Sequence, residues 1–306
     1  MLNHLTNNKL GLLLILLSFL LFPLSNVATR YITYTSSIPL SIYFVYVKIF
    51  AVIILFNIGL VFFGKSFFSV KNKKFVAIRC LILVINNICL TIALSYLPLD
   101  IFYSIVFIMP LITTVMGIII LKEKFTYINF LALTIGFVGI MVIVQPNVKE
   151  TLGLIGVICS IITAITGSSA AIIARKYLPN ENPYTANFYV AICSFALGLI
   201  MLINSEAGFT FAIEYLSFKV IIIIFLSALF TILASTLYMR AFQISNATII
   251  APAQYTQIIW GFIFGYLVFN DKTTMETLLG CAIIIFATLL NFYASKKGDI
   301  NEITTK

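Results

Sequence analysis

Residues 93–136 read ALSYLPLDIFYSIVFIMPLITTVMGIIILKEKFTYINFLALTIG, and residues 241–284 read AFQISNATIIAPAQYTQIIWGFIFGYLVFNDKTTMETLLGCAII. In that register, 148 positions apart, Ala93 meets Ala241, Gly117 meets Gly265, Lys124 meets Lys272 and Thr126 meets Thr274. Each stretch holds a polar-flanked turn, an apolar run with a proline, a charged turn ending in Lys-x-Thr, and a second apolar run. The front ends correspond too. Leu10-Gly11-Leu12 pairs with Leu152-Gly153-Leu154, Ser18 with Ser160, and, after a three-residue offset, Arg30-Tyr31 with Arg175-Lys176. The chain reads as one unit written twice.

Working outward, the whole chain has the composition of those stretches. Of its 306 residues 61% are hydrophobic and 9% charged, with a mean hydropathy of +1.11. A soluble domain is about half apolar and about a quarter charged, so this chain has too little charge to cover a folded surface in water. Ten apolar runs fall at roughly 10–30, 39–63, 75–97, 101–121, 126–145, 152–174, 184–203, 217–239, 246–269 and 275–294. They are apolar throughout rather than alternating, which excludes barrel strands and predicts membrane-spanning helices. The first run is too long for a signal-peptide core and is expected to be retained. The sequence therefore predicts an all-α membrane protein. A stretch at 1–9 precedes a first five-helix repeat over 10–145, a second repeat spans 152–294, and a tail follows over 295–306. Five crossings per copy is an odd number, so the second copy enters from the opposite side and the repeat is inverted, a recurrent plan of secondary transporters.

The net charge of +9 would suggest nucleic acid in a soluble protein. Here the basic residues lie between the apolar runs and set orientation. With the N-terminus inside, the inner segments hold Lys9, Lys65, Lys71, Lys73, Lys74, Arg79, Lys122, Lys124, Arg175, Lys176, Arg240, Lys296, Lys297 and Lys306. The outer segments hold Arg30, Lys149, Lys219 and Lys272. That asymmetry predicts both termini in the cytoplasm of a bacterial cell, with the chain multi-pass in the inner membrane and lipid as its surroundings. The longest outer connection, near 204–216, is too short for a separate domain.

Polar residues inside the runs are the candidates for function, because each needs a partner, water or a solute. Lys48 lies about nine residues, or about 13 Å, from the outer end of the second run. A charge at the centre costs roughly 2.5–3.5 kcal/mol. Arg79, Leu83, Asn87 and Thr91 step by four along one face of the third run. Asn87 and Thr91 are expected to line a cavity, and Arg79 to reach lipid headgroups. Asn86 beside Asn87 is the less favoured of the pair. Ser104, Pro110 and Thr114 in the fourth run, Thr163 in the sixth, Tyr238 in the eighth, and Pro252, Tyr255, Gln257 and Trp260 in the ninth complete the expected substrate-binding set. The prolines fall out of register, Pro110 opposite Ile258 and Ser104 opposite Pro252, so the two copies are expected to break their helices at different depths.

No HExxH, CxxC, Walker or GxSxG pattern is present, and Asp100, Glu123, Asp271 and Glu276 all lie near run ends. The single histidine, His4, and five cysteines without paired spacing offer no metal site. The sequence predicts no enzyme, no cofactor and no midplane carboxylate relay. Its interior lysine and arginine favour an anionic or zwitterionic solute. A monomer and a homodimer both remain open, Gly261-x-x-x-Gly265 being a packing motif.

The two repeat endings, Pro110-Leu-Ile-Thr-Thr-Val-Met-Gly117 through Glu123-Lys-Phe-Thr126 and Ala251-Pro252-Ala253-Gln254-Tyr255 through Gly265 to Asp271, resemble those of EamA-type permeases of the drug/metabolite transporter superfamily. Lys48 stands where that family commonly has arginine, and Asp271 replaces its usual glutamate. The resemblance implies ten helices, a central cavity between spans 1, 3, 4, 6, 8 and 9, and alternating access for a small polar metabolite such as an amino acid or a nucleoside-like solute. The segment from Met239-Arg240-Ala-Phe through Ala247-Thr248 to Ala251-Pro252-x-x-Tyr255 is also similar to that of S-adenosylmethionine uptake carriers. A flippase for a lipid-linked solute would need a cavity open sideways to lipid, and a membrane scaffold would have a closed, apolar centre.

Overall fold

An apolar chain without water around it satisfies its backbone by folding into helices. The computed structural model does so through the residues it describes: 2–35, 38–97, 99–123, 127–144, 153–203, 217–269, 275–276, 278–280, 282–287 and 289–290. The tail after 290 and the Lys124 and Lys272 turns lie outside the described residues. The helices are α1 (Leu2–Thr35), α2 (Leu40–Phe62), α3 (Lys73–Tyr96), α4 (Leu99–Val106), α5 (Met109–Leu121), α6 (Tyr127–Val144), α7 (Leu154–Tyr177), α8 (Pro183–Ile203), α9 (Phe218–Ile244), the single turn α10 (Ala247–Ile250) and α11 (Thr256–Phe269). Further helical residues follow between 275 and 290. Among the described residues six helices, α1, α2, α3, α7, α8 and α9, are long and apolar enough to cross a membrane. Their outward faces carry Val61, Phe62, Leu154 and Phe218, fully apolar side chains that are mostly exposed and need hydrocarbon to cover them.

The run over 101–121 is two helices. α4 ends at Val106, Phe107 and Ile108 turn, and α5 starts at Met109 with Pro110 in its first turn. Proline has no N–H to donate and its fixed φ suits a helix start, so the break falls just ahead of it. The run over 246–269 breaks by the same logic. α10 gives way to a 3₁₀ segment, Ala251–Tyr255, led by Pro252, and α11 resumes at Thr256. The two copies were expected to break at different depths; instead the breaks coincide, the start of α5 at Met109 falling opposite Gln257, one residue into α11. The reason is that Pro110 opens the helix after its break while Pro252 leads the 3₁₀ segment before its own.

Helix packing is reciprocal between the two parts of the chain. α1 lies against α9 and α3 against α7, while α2 lies against α8; α5 meets α7 as α11 meets α1. Small hydroxyls tie α1 to its neighbours. Ser18 donates to the Ala234 carbonyl at 2.9 Å, and Ser25 bonds the Ser227 hydroxyl at 3.1 Å and that of Thr231 at 2.6 Å. Tyr43 of α2 joins them, 2.7 Å from Thr29 and 3.0 Å from Ser227. Such bonds replace the hydrophobic drive that helices lack inside lipid.

A second knot holds the broken helices. Lys122 takes a left-handed conformation, φ 54°, at the end of α5, and the Glu123 N–H bonds the Gly117 carbonyl at 3.3 Å. That turn swings the Glu123 carboxylate onto the start of α10. There it accepts from the backbone N–H of Ala247 at 3.0 Å and of Thr248 at 2.9 Å, and from the Thr248 hydroxyl at 3.0 Å. Arg175 of α7 stands 3.7 Å from the same carboxylate and donates to the Gln243 carbonyl and to Asn246.

Candidate functional site

Between the paired helices lies a cavity of about 160 Å³. Its wall draws on both parts of the chain: Phe19, Phe22 and Asn26 from α1, Lys48 from α2, Arg79, Asn86 and Asn87 from α3, and Phe102 from α4. Thr163 and Gly167 come from α7, Asn187 from α8, Thr231, Ser235 and Tyr238 from α9, and Gln257 from α11. No described residue of the wall is acidic.

Helix geometry places these groups. Arg79, Leu83, Asn86, Asn87 and Leu90 all line the cavity because steps of three and four keep a residue on one face. Arg79 was expected at the headgroups; it is instead buried, 3% exposed. Its two terminal nitrogens both donate to the Asn187 Oδ1, at 3.3 and 3.4 Å. Asn187 is fixed in turn by donating to Ser235 at 3.1 Å and Thr236 at 3.3 Å. Lys48, 8% exposed, holds its ammonium 5.2 Å from the centre of the Phe44 ring, a cation–π contact on its own helix. Asn86 donates to the Thr163 carbonyl and the Thr166 hydroxyl, both at 2.9 Å. Asn87 donates to Ser194 at 3.2 Å.

One side of the cavity is aromatic. Tyr238 meets Phe19 edge to face at 5.9 Å and Phe22 at 6.1 Å. Asn26 donates to the Tyr103 hydroxyl at 2.9 Å, and Gln257 bonds that same hydroxyl.

Of the residues the sequence singled out, the wall contains Lys48, Asn87, Thr163, Tyr238 and Gln257. Thr91 sits a turn beyond it, donating to the Asn87 carbonyl at 2.7 Å. Pro110 and Pro252 are buried at the two helix breaks. Thr114 is buried with its hydroxyl unpartnered. Tyr255 is fully buried, its ring packed against Gly136 and 6.0 Å from Phe107, and its hydroxyl finds no partner. Trp260 stacks on Phe264 at 6.0 Å, outside the wall. Ser104 lies on α4, and its side chain is outside the described residues. The wall also holds Arg79, expected at the headgroups, Asn86, the less favoured of its pair, and Asn26 and Asn187, which sequence reasoning passed over. Asn187 carried a usable signal, an amide in an otherwise apolar run.

Among the described residues no three His, Cys, Asp or Glu side chains are grouped to hold a metal. A helical bundle with an apolar exterior, and with a mainly apolar central chamber that carries two cations and several amides, is a multi-pass membrane protein with room for a small solute. The sequence profile of the EamA-like transporter family matches residues 9–145 and again residues 154–293, and the chain belongs to that family. It is therefore a transporter and not an enzyme. It is 26% identical over 237 residues to the S-adenosylmethionine uptake transporter of Rickettsia prowazekii (strain Madrid E), covering 78% of each chain. Identity to the S-adenosylmethionine uptake transporter of Rickettsia bellii (strain RML369-C) is 25% over 243 residues, 79% of this chain and 80% of that one. A solved crystal structure at 12% identity superposes on 94% of this chain and 98% of its own with a TM-score of 0.76, a likeness of fold alone.

Proposed function

We propose that this protein is a secondary carrier that takes up S-adenosylmethionine, or a solute built like it, across the bacterial inner membrane by alternating access. The observation that carries the reading is the central chamber, walled jointly by the first and second parts of the chain, in a protein whose relatives over about four-fifths of its length are named for S-adenosylmethionine uptake. The chamber's chemistry suits that solute. Phe19, Phe22 and Tyr238 offer ring faces to an adenine, and the amides of Asn26, Asn86, Asn87 and Gln257 offer donors and acceptors to its edge. Lys48 and Arg79 would oppose the sulfonium charge. The solute's carboxylate offsets this if it lies at the cations while the sulfonium lies on the aromatic side.

Alternating access follows from the plan of the chain. The reciprocal pairing of α1 with α9 and α3 with α7 supports two related halves, 10–145 and 152–294. An odd number of spans in each would make them inverted, with the chamber where the halves meet. The lysine and arginine asymmetry supports cytoplasmic termini. A scaffold would keep its centre apolar, and this centre holds two cations and several amides.

The test is uptake and counterflow of labelled S-adenosylmethionine in proteoliposomes, with amino acids and nucleosides as competitors. Saturable uptake that unlabelled S-adenosylmethionine accelerates from the opposite side is the expected result. Uptake indistinguishable from empty vesicles would refute the assignment of this solute.

A further inference from the structure

We propose that Arg79 and Tyr238, with Lys48 supplying a second positive charge, form a carboxylate subsite in the chamber and set its preference for acids. The proposal rests on the carrier reading and names the solute group that the reading leaves open.

Three observations carry it. First, both residues stand in the chamber wall, and each has a polar atom that is buried and without a hydrogen-bond partner: the Arg79 Nε and the Tyr238 hydroxyl. Buried polar groups are almost always paired, so an unpaired one on a residue of the chamber wall is a group that an entering solute can pair with once the side chain turns toward it. Second, the guanidinium is held rather than loose. Asn187 Oδ1 accepts from both of its terminal nitrogens, and Ser235 and Thr236 lock the Asn187 amide so that its oxygen faces Arg79. A guanidinium has five N–H donors, and Asn187 occupies two, so Nε–H remains to take a carboxylate oxygen. Tyr238 lines the same chamber, and its unpartnered O–H is a further donor for the same group. Third, Arg79 and Lys48 are both buried and no described residue of the wall is acidic, so the wall itself supplies no counter-charge. Cations buried in a membrane protein are costly unless paired. An incoming carboxylate supplies the missing charge and satisfies the open donors together. Asn187 is a positioning residue here, acting through Arg79.

The experiment measures binding by the full purified chain, read as the ligand-dependent rise in melting temperature. The probes are phenylalanine and methionine against their methyl esters, and S-adenosylmethionine against its decarboxylated analogue. In the natural protein each acid is expected to bind about tenfold or more tighter than its partner lacking the carboxylate. Arg79→Gln is expected to erase the difference while the esters bind as before, and Arg79→Lys to keep part of it. Tyr238→Phe removes one hydroxyl, no charge and little volume. It is expected to narrow the gap several-fold, which a diffuse positive potential would not explain. Acids and esters binding alike in the natural protein, or none of the acids binding, overturns the subsite. So does an undiminished gap in both Arg79→Gln and Tyr238→Phe. Preference for acids without S-adenosylmethionine uptake in proteoliposomes supports the subsite and overturns only the choice of S-adenosylmethionine.

Discussion

Gly136→Ala is a one-methyl change with a calculable cost. Gly136 lies on α6 and faces the ring of Tyr255 in the 3₁₀ segment between α10 and α11. A Cβ there would overlap the ring's Cδ2 and stand 2.6 Å from its Cε2. Carbon atoms in good contact are roughly 3.5–4.0 Å apart, so helix and ring must separate by about 1 Å. Tyr255 has little freedom to yield, being fully buried and packed among Phe107, Leu133 and Ile284. Overpacking of this kind costs typically about 1–3 kcal/mol. Replacing glycine by alanine inside a helix returns up to about 1 kcal/mol of propensity. With the ring enclosed, the upper part of the overpacking range applies, and the net loss is expected at about 1–2 kcal/mol. The assay is thermal unfolding of the purified protein in detergent, where this corresponds to a melting temperature lower by several degrees. Tyr255→Leu removes the ring edge that the methyl meets, so Gly136→Ala should cost little in that background, a non-additivity of about 1 kcal/mol. A Gly136→Ala protein that melts with the natural one, or a double variant whose losses simply add, would refute the contact.

Three further outcomes are expected. Glu123→Gln keeps the shape but halves the acceptors that hold Ala247, Thr248 and Arg175, and should lower stability by about 1–3 kcal/mol; unchanged melting would mean the knot at the start of α10 is dispensable. Lys48→Met removes a buried cation, so folded yield should hold or rise while uptake per folded molecule falls; uptake that tracks yield alone makes Lys48 a structural residue. Single cysteines at Lys71 and Ser217, in a chain freed of its own thiols, should react oppositely with an impermeant reagent in intact cells. The one at 217 should label and the one at 71 should be protected, and the reverse pattern would invert the orientation drawn from the basic residues.

Much of this molecule could be read one residue at a time. Long apolar runs left the helix as the only economical backbone, and the prolines at 110 and 252 marked where two of those helices break. Lys48 declared itself because a charge far inside an apolar run has few explanations. The site was harder. Tyr255 had a ring and a hydroxyl in the right run, yet the structure buries it against Gly136, because the 3₁₀ segment after Pro252 turns it away from the chamber. Asn87 and Asn86 could be told apart on a helical wheel, but the chamber is wide enough for both to reach its wall.

Arg79 shows where the division lies. Its position along the chain set its helix, its face and its charge, since those depend on spacing and residue type along one chain segment. Whether that charge met headgroups or a chamber depended on Asn187, which lies 108 positions away on α8. Local spacing determines which side of a helix a residue occupies; only the packing of distant helices determines what that side faces.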